Sequence, residues 1–228
     1  MLLAVDTATR VMSIALHDGN FLLAERTWHT NNRHTVELVP AIQDILAGGG
    51  VATDHLTALA ASIGPGSYTG LRIGVAFAKG LAASHRLPLV GVSTLDILAA
   101  GQPYYQSGLG LIVVVQAGRG RIIVNSYRWR KGRWVSHTDA RLMTWETLIE
   151  TLDGPACITG EIDPKGLEII TKTPGGKFPL TIASPAYRLR RAGFLAQLAW
   201  EKLNAADDKS VYSATKLLPI YVKSETTV

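Results

Sequence analysis

Short apolar runs and helically spaced apolar residues alternate along the first half of the chain. The runs predict strands, because about four to eight mostly apolar residues bounded by turn-forming residues are typical of β-structure. The predicted strands cover residues 2–5, 11–16, 21–28, 58–63 and 87–92. Helical spacing predicts helices at residues 33–47 and 69–84, and a capping-box pattern predicts a short helix that opens at Ser93. This order predicts an α/β layer structure that begins with a three-strand meander.

The same pattern restarts after the break at residues 101–103. The predicted strands are 111–115, 121–129, 133–137 and 156–160, the predicted helices are 144–152 and 187–203, and 164–179 is predicted to be loop-rich. Asp6 and Gln116 hold equivalent places, because each ends an apolar strand before a tight turn. We therefore predict an internal duplication, with an N-terminal lobe at 1–102 and a C-terminal lobe at 103–228. Duplicated strand, hairpin and helix units facing a cleft suggest the two-lobed actin-like, sugar-kinase and Hsp70-type fold class (ASKHA, RNase H-like).

The glycine-rich stretch at residues 64–74 joins a predicted strand to a predicted helix. Its first two glycines flank a proline and permit a sharp turn, after which Ser67 or Thr69 can cap the helix. Free N–H groups at such a turn suit an anion, although the spacing alone favours a tight strand-to-helix turn without a ligand. The stretch lacks the lysine of a Walker A loop. The candidate anion-facing or nucleotide-facing residues are Asp6, Thr7, Gly64, Gly66, Ser67 and Thr69.

Composition narrows the class of protein. The chain has 228 residues and a mass of 24.5 kDa, which is enough for one large domain or two small ones. The N-terminus has no basic flank and meets Asp6 early, so no signal peptide is predicted. The single cysteine, Cys157, predicts no intrachain disulfide and no thiolate metal cluster. These features predict a cytoplasmic protein.

The formal net charge of +5 is concentrated in the second half of the chain. A predicted hairpin there carries cations with no acid among them, interleaved with aromatic residues. The candidate nucleic-acid contacts are Arg128, Arg130, Lys131 and Arg133. Basic residues interleaved with aromatic ones are typical of a nucleic-acid surface, but the residues alone favour a solvated hairpin whose arginine stems cover apolar surface.

Five motifs together resemble the TsaB family, also called YeaZ. They lie at residues 6–9, 34–40, 64–74, 91–96 and 219–223. The resemblance covers the first half of the chain closely and the second half loosely. It implies a subunit of the bacterial machinery that places threonylcarbamoyl on the adenosine following the anticodon of tRNA. In that machinery the subunit heterodimerises with its catalytic paralogue TsaD, and the ATPase TsaE docks on the pair.

The resemblance also implies that this chain is not itself the catalyst. The complex uses ATP, whereas no cofactor is predicted for this chain alone. Whether the chain forms a homodimer when its partner is absent is left open by the sequence. The helices at 33–47 and 69–84 are the expected partner surface, because a line of small residues permits close approach of another helix. The expected interface residues are Val36, Val39, Gln43, Gly70, Gly74, Ala78 and Ala82.

Three observations bear on the alternatives to a non-catalytic subunit. His34 is followed by Leu38, where the catalytic paralogue has a second metal histidine, so no metal site and no metallopeptidase are predicted. The alternative of an ATPase or small-molecule kinase needs carboxylates for Mg²⁺; Asp6 could supply one, but Gln116 is neutral. A stand-alone RNA-binding module rests only on the basic hairpin, and no RRM signature is present.

Overall fold

The computed structural model describes residues 1–106, 108–172 and 178–222. The chain forms two compact units. Unit 1 contains residues 1–97 and 190–220, and unit 2 contains residues 98–189 with Tyr221 and Val222. This division differs from the predicted one at 102, because the chain returns to unit 1 after Leu189. Lys223, which ends the last of the five motifs, lies outside the described residues.

Each unit is built on a mixed β-sheet. The strands of unit 1 are β1 Leu2–Asp6, β2 Val11–His17, β3 Leu22–His29, β4 Ala58–Ser62 and β5 Leu89–Val92. The strands of unit 2 are β6 Gly110–Gly118, β7 Arg121–Arg130, β8 Arg133–Ser136, β9 Arg141–Met143, β10 Ala156–Gly160 and β11 Leu180–Ile182. The strand order is β3-β2-β1-β4-β5 in unit 1 and β11-β10-β6-β7-β8 in unit 2, with β9 paired to β7.

The two sheets repeat one topology. In unit 1, β1, β2 and β3 are antiparallel neighbours, while β1, β4 and β5 run parallel. In unit 2, β6, β7 and β8 are antiparallel, while β6, β10 and β11 run parallel. The predicted duplication is therefore confirmed, with β6 in the place of β1 and β10 in the place of β4.

Helices cover both faces of the first sheet. The helices are α1 His34–Gly48, α2 Tyr68–His85, α3 Thr94–Ala100, α4 Trp145–Thr151, α5 Pro164–Lys172 and α6 Ala192–Ala205. Leu3, Val5 and Ile14 project to one face, where they pack with Leu38 of α1 and Ala78 of α2. The opposite face of the sheet packs against α6. Successive residues of β1 and β2 thus pack into two different cores, one on each face of the sheet.

Helix α6 begins later than the predicted residue 187. Residues Pro185–Arg188 form a short 3-10 turn, and Arg191 has extended backbone angles. The delay follows from Arg190, whose side chain is 2% exposed and leaves the helical path to enter the core of unit 1. A helix continuous from 187 would direct Arg190 away from that contact.

Two strands and one helix of unit 2 were not predicted. The strands β9 and β11 have three residues each, too few for a periodicity to register. Helix α5 lies in the stretch predicted to be loop-rich, whose residues 173–177 are outside the described part of the chain. Its start carried a signal, because Asp163 accepts a hydrogen bond from the Gly166 amide (2.8 Å) and proline is favoured in a first helical turn. In the described residues no helix has the length and apolar character needed to cross a membrane.

Candidate functional site

Asp6 ends β1 as a fully buried carboxylate, with 0% exposure. Its Oδ1 accepts hydrogen bonds from the Ala8 amide (2.9 Å) and from Ser62 Oγ (2.8 Å). Its Oδ2 accepts a hydrogen bond from Arg190 Nε. Both carboxylate oxygens are therefore occupied by donors of unit 1 itself.

Arg190 extends this network beyond the carboxylate. Its Nη2 donates to Thr9 Oγ1 (3.0 Å) and to the Val11 carbonyl (2.8 Å), so one guanidinium binds both ends of the turn between β1 and β2. Planar guanidinium donors suit this kind of multidentate bonding. Arg190 is not predictable as a partner of Asp6, because no local pattern links two residues 184 positions apart.

The glycine-rich stretch forms a turn that is packed tightly against neighbouring backbone. Gly64 has a φ of +106°, and a Cβ there would lie 2.5 Å from the Ile220 carbonyl oxygen. A Cβ on Gly66 would lie 2.2 Å from the Ala8 carbonyl oxygen, which also accepts a hydrogen bond from the Ser67 amide (2.6 Å). Both glycines are required by close approach within unit 1.

Ser67 caps α2, as the sequence predicted. Its Oγ accepts a hydrogen bond from the Gly70 amide (3.2 Å), which satisfies one of the free donors at the helix start. Thr69 follows on the exposed surface of the first turn. Thr7 lies on the buried side, where it is 1% exposed. Whether any of these groups meets an anion or a nucleotide stays a prediction.

The line of small residues on α2 faces the interior of unit 1, so its assignment to a partner surface was wrong. A Cβ on Gly70 would lie 2.3 Å from the Thr7 carbonyl oxygen, and one on Gly74 would lie 2.2 Å from Thr7 Oγ1. Thr7 Oγ1 also donates to the Gly70 carbonyl (2.7 Å). Ala78 and Ala82 continue the line into the core, at 0% and 1% exposure. The close backbone approach inferred from the sequence is real, but the backbone is that of the β1–β2 turn.

Helix α1 presents an apolar outer face. Val36 is 57% exposed and Val39 is 44% exposed, and Gln43 lies on the surface one turn further on. The helix is anchored from its other side. Trp28 Nε1 donates to Glu37 Oε2 (2.9 Å), and this bond lowers the pKa of the Glu37 carboxyl below its ordinary value. The three predicted interface residues on α1 are therefore accessible.

His34 is a buried structural histidine. It is 5% exposed, and its Nε2 donates to the Thr9 carbonyl (2.8 Å). Leu38, one turn later, is in the core. Across residues 1–106, 108–172 and 178–222, no three His, Cys, Asp or Glu side chains are grouped so that they could hold a metal ion.

In unit 2 the residue equivalent to Asp6 is the uncharged Gln116. The Gln116 backbone N–H donates to Glu161 Oε2 (3.1 Å), and the Gln116 side-chain Nε2 donates to the Glu161 carbonyl (2.8 Å). These bonds tie the end of β6 to the segment after β10. The equivalent strand ends in the two units are thus fixed by different side chains.

The basic hairpin is formed by β7 and β8 and turns at Lys131 and Gly132, both with positive φ. Arg128, Arg130 and Arg133 are exposed, as is Lys131. The tryptophans of the hairpin pack with each other, since the rings of Trp129 and Trp134 lie 5.3 Å apart in an edge-on arrangement. The cations are accessible, and their contact with tRNA stays a prediction.

Two copies of one α/β unit, each with the same five-strand order, place the chain in the actin-like, sugar-kinase and Hsp70-type fold class. The YeaZ structure from Pseudomonas aeruginosa superimposes with a TM-score of 0.76 at 25% identity, covering 97% of this chain and 99% of that one. The family model described as "TsaD: tRNA N6-adenosine threonylcarbamoyltransferase" matches residues 23–157.

Sequence relatives narrow the class further. The Bacillus subtilis tRNA threonylcarbamoyladenosine biosynthesis protein TsaB is 32% identical over 210 residues, which cover 90% of this chain and 89% of the relative. The Escherichia coli protein of the same name is 38% identical over 139 residues, covering 58% of each chain. The chain belongs to the TsaB (YeaZ) family.

Proposed function

We propose that this chain is the TsaB-like subunit that heterodimerises with the catalytic paralogue TsaD and supports threonylcarbamoyl transfer to the adenosine following the anticodon in tRNA. The observation that carries the proposal is the relation to the B. subtilis biosynthesis protein along 90% of the chain. Docking of the ATPase TsaE on the pair, with ATP used by the complex, belongs to the same proposal. The cytoplasmic location stays a prediction.

The chemistry of the strand ends supports a non-catalytic role. An ATPase or kinase of this fold class needs carboxylates directed at Mg²⁺ and at the transferring phosphoryl group. The Asp6 carboxylate is committed to Arg190, Ser62 and the Ala8 amide, and the equivalent residue in unit 2 is the neutral Gln116. His34 donates its Nε2–H to a carbonyl. These contacts favour a subunit that acts through its partner.

The outer face of α1 is the proposed contact with TsaD. Exposed valines on an otherwise well-anchored helix are typical of an interface, where they remain unburied until the partner binds. Val36 and Val39 lie one turn apart on this face, and Gln43 follows them. We therefore propose that TsaD contacts α1 and the outward side chains of α2.

The proposal is tested by measuring the affinity of the purified chain for TsaD from the same organism. Val36→Glu should weaken binding about tenfold or more, because an unpaired carboxylate would be buried in the interface. The matched control is Val211→Glu, since Val211 is 51% exposed and lies elsewhere in unit 1. Equal affinity of both variants would remove α1 from the interface, and failure of the wild-type chain to bind TsaD would refute the proposed function.

A further inference from the structure

Unit 2 contains an open cleft of about 550 Å³ at the start of β6 and β10. This volume lies within the range of small-ligand sites. Its polar lining comes from Tyr104, Ser126, Arg128, His137, Thr138 and Asp153. Ile112 and Ala156 supply apolar surface. The cleft therefore combines an apolar wall, hydroxyl groups, an imidazole, one guanidinium and one carboxylate.

The basic hairpin presents its arginines on one face. In the β7–β8 register Arg130 is opposite Arg133 and Arg128 is opposite Val135, so the three guanidinium groups project to the same side. Like charges directly opposite each other destabilise a strand pair. Within the described residues, none of the three has an ion-pair partner. No acidic side chain of the described residues offsets the repulsion between these guanidinium groups, whereas a bound polyanion would offset it.

The tryptophans occupy the other face of the hairpin. Trp129 is opposite Trp134, and Trp134 Nε1 donates to the Pro103 carbonyl (3.1 Å). In the described part of the chain, the arginines found over aromatic rings are Arg26, Arg72 and Arg191, none of them on the hairpin. The hairpin arginines are thus not used to shield the indoles.

The cleft continues the arginine face. Ser126 and Arg128 are two residues apart on β7, so their side chains project to the same face, and both line the cleft. At its edge the ring of Tyr104 is 5.2 Å from that of Trp129, and Tyr104 is 48% exposed. Tyr104 and Arg128 both line the cleft, so an exposed ring for a base and a guanidinium for its phosphate are present at one site.

We propose that unit 2 binds single-stranded RNA, with one unstacked nucleotide in this cleft against Tyr104 and the adjoining phosphates on Arg128, Arg130 and Arg133. The site deepens the proposed function, because the substrate of that biosynthesis is a tRNA. A base inside a duplex cannot enter such a cleft, whereas an unpaired loop base can be splayed out and stacked on an aromatic side chain.

The test measures binding of the full chain to a fluorescein-labelled anticodon stem–loop by anisotropy at several salt concentrations. A blunt RNA duplex of equal length is measured beside it, and the stem–loop should bind more tightly. Arg128→Gln, Arg130→Gln and Arg133→Gln combined should lower the slope of log affinity against log salt by roughly 2, since each phosphate contact to a single strand contributes about 0.7. Tyr104→Leu should weaken binding roughly 5- to 150-fold through loss of base stacking.

Matched controls separate contact from overall charge. The combined replacement of Arg119, Arg121 and Arg141 by glutamine removes the same charge from unit 2, and these residues lie outside the cleft. Tyr187→Leu removes a tyrosine that is 46% exposed in the same unit. Both controls should leave the affinity of the stem–loop within about twofold of the wild-type value, apart from the long-range charge effect at low salt.

Three results would overturn the site. Equal salt slopes for the two triple variants would remove the hairpin from the RNA contact. Equal affinity for stem–loop and duplex would exclude a base in the cleft. Competition by poly-glutamate as effective as that by RNA would define a general anion surface. If the hairpin triple variant does not fold, Arg130→Gln alone, with a slope change of about 0.7, decides the question.

The affinity for TsaD keeps this test separate from the proposed function. A hairpin variant that binds TsaD normally but has unaltered RNA binding overturns only the RNA site. Loss of TsaD binding in Val36→Glu, with RNA binding intact, supports the partner surface independently.

Discussion

The ion pair between Asp6 and Arg190 explains both the burial of a charged residue and the late start of α6. Two charges removed from water are tolerated when each is fully hydrogen-bonded, and here Asp6 accepts from Ala8, Ser62 and Arg190. An acid at the end of the first strand need not be catalytic in this fold class. Replacing Asp6 would lower the stability of the fold, so a loss of activity in such a variant would not by itself show a catalytic role.

Removing one partner of the pair should be strongly destabilising. Arg190→Met is expected to lower the free energy of unfolding by about 3–5 kcal/mol, because it leaves the Asp6 carboxylate buried without its counter-ion. Denaturation by urea measures the change. Arg191→Met is the neighbouring control, since Arg191 is 45% exposed in its ion pair with Glu25 and should cost about 1 kcal/mol or less. A double variant Asp6→Leu with Arg190→Met that loses the sum of the single effects would contradict coupling of the two charges.

The elements of the fold were predictable where one periodicity extends over a whole element. The meander, α1, α2 and the strands around them follow from local patterns, and so does the repeat in unit 2. Helix α5 was missed although Asp163 and Pro164 mark its start, because the surrounding stretch was interpreted as loop. The start of α6 did not follow from a local pattern, because a long-range ion pair decides it. The small-residue line on α2 indicated a close contact correctly, but sequence cannot say whether the contacting backbone belongs to the same chain.

Two glycines of α2 allow the contact with the β1–β2 turn to be tested, because only one of them lies against it. Gly74→Ala should lower the free energy of unfolding by about 1–3 kcal/mol, because its Cβ would lie 2.2 Å from Thr7 Oγ1. Gly80→Ala should raise it by about 1 kcal/mol, since a Cβ there meets nothing within 4 Å and alanine is the better helix former. Thermal or urea unfolding of both variants gives the comparison. Stabilisation by both would show that the Thr7 contact is absent in solution.

At the scale of the whole molecule, unit 1 is assembled from separated parts of the chain. One face of its sheet is covered by α6, with Ala192, Leu195 and Ala196 packed on Leu2 and Ala4. Arg190, which precedes α6, binds Asp6 at the end of β1 and so also joins this late segment to the sheet. Unit 2 draws nearly all of its structure from the continuous stretch between them. Unit 1 therefore needs two segments that are far apart in sequence, whereas unit 2 forms almost entirely from one continuous segment.

A truncation after Leu189 should unfold unit 1 and leave unit 2 folded. The exposed face would lose α6, and each large apolar side chain returned to water costs about 1.5–3 kcal/mol. Hydrogen exchange should show loss of amide protection in β1, β4 and β5, with protection retained in β6, β7 and β10. A truncation after Val222, which keeps every described element, is the control. Retained protection in β1 and β4 would mean that α6 is dispensable.

The discontinuous course of unit 1 sets an order of events during synthesis on the ribosome. Domains generally fold as their residues emerge, at about 5–20 residues per second. Residues 1–97 must wait roughly 6–25 s for Arg190–Ile220, while the whole of 98–189 is made in between. Residues 1–97 are thus translated before unit 2 but complete their fold after it, and in that interval their uncovered sheet face is open to chaperones.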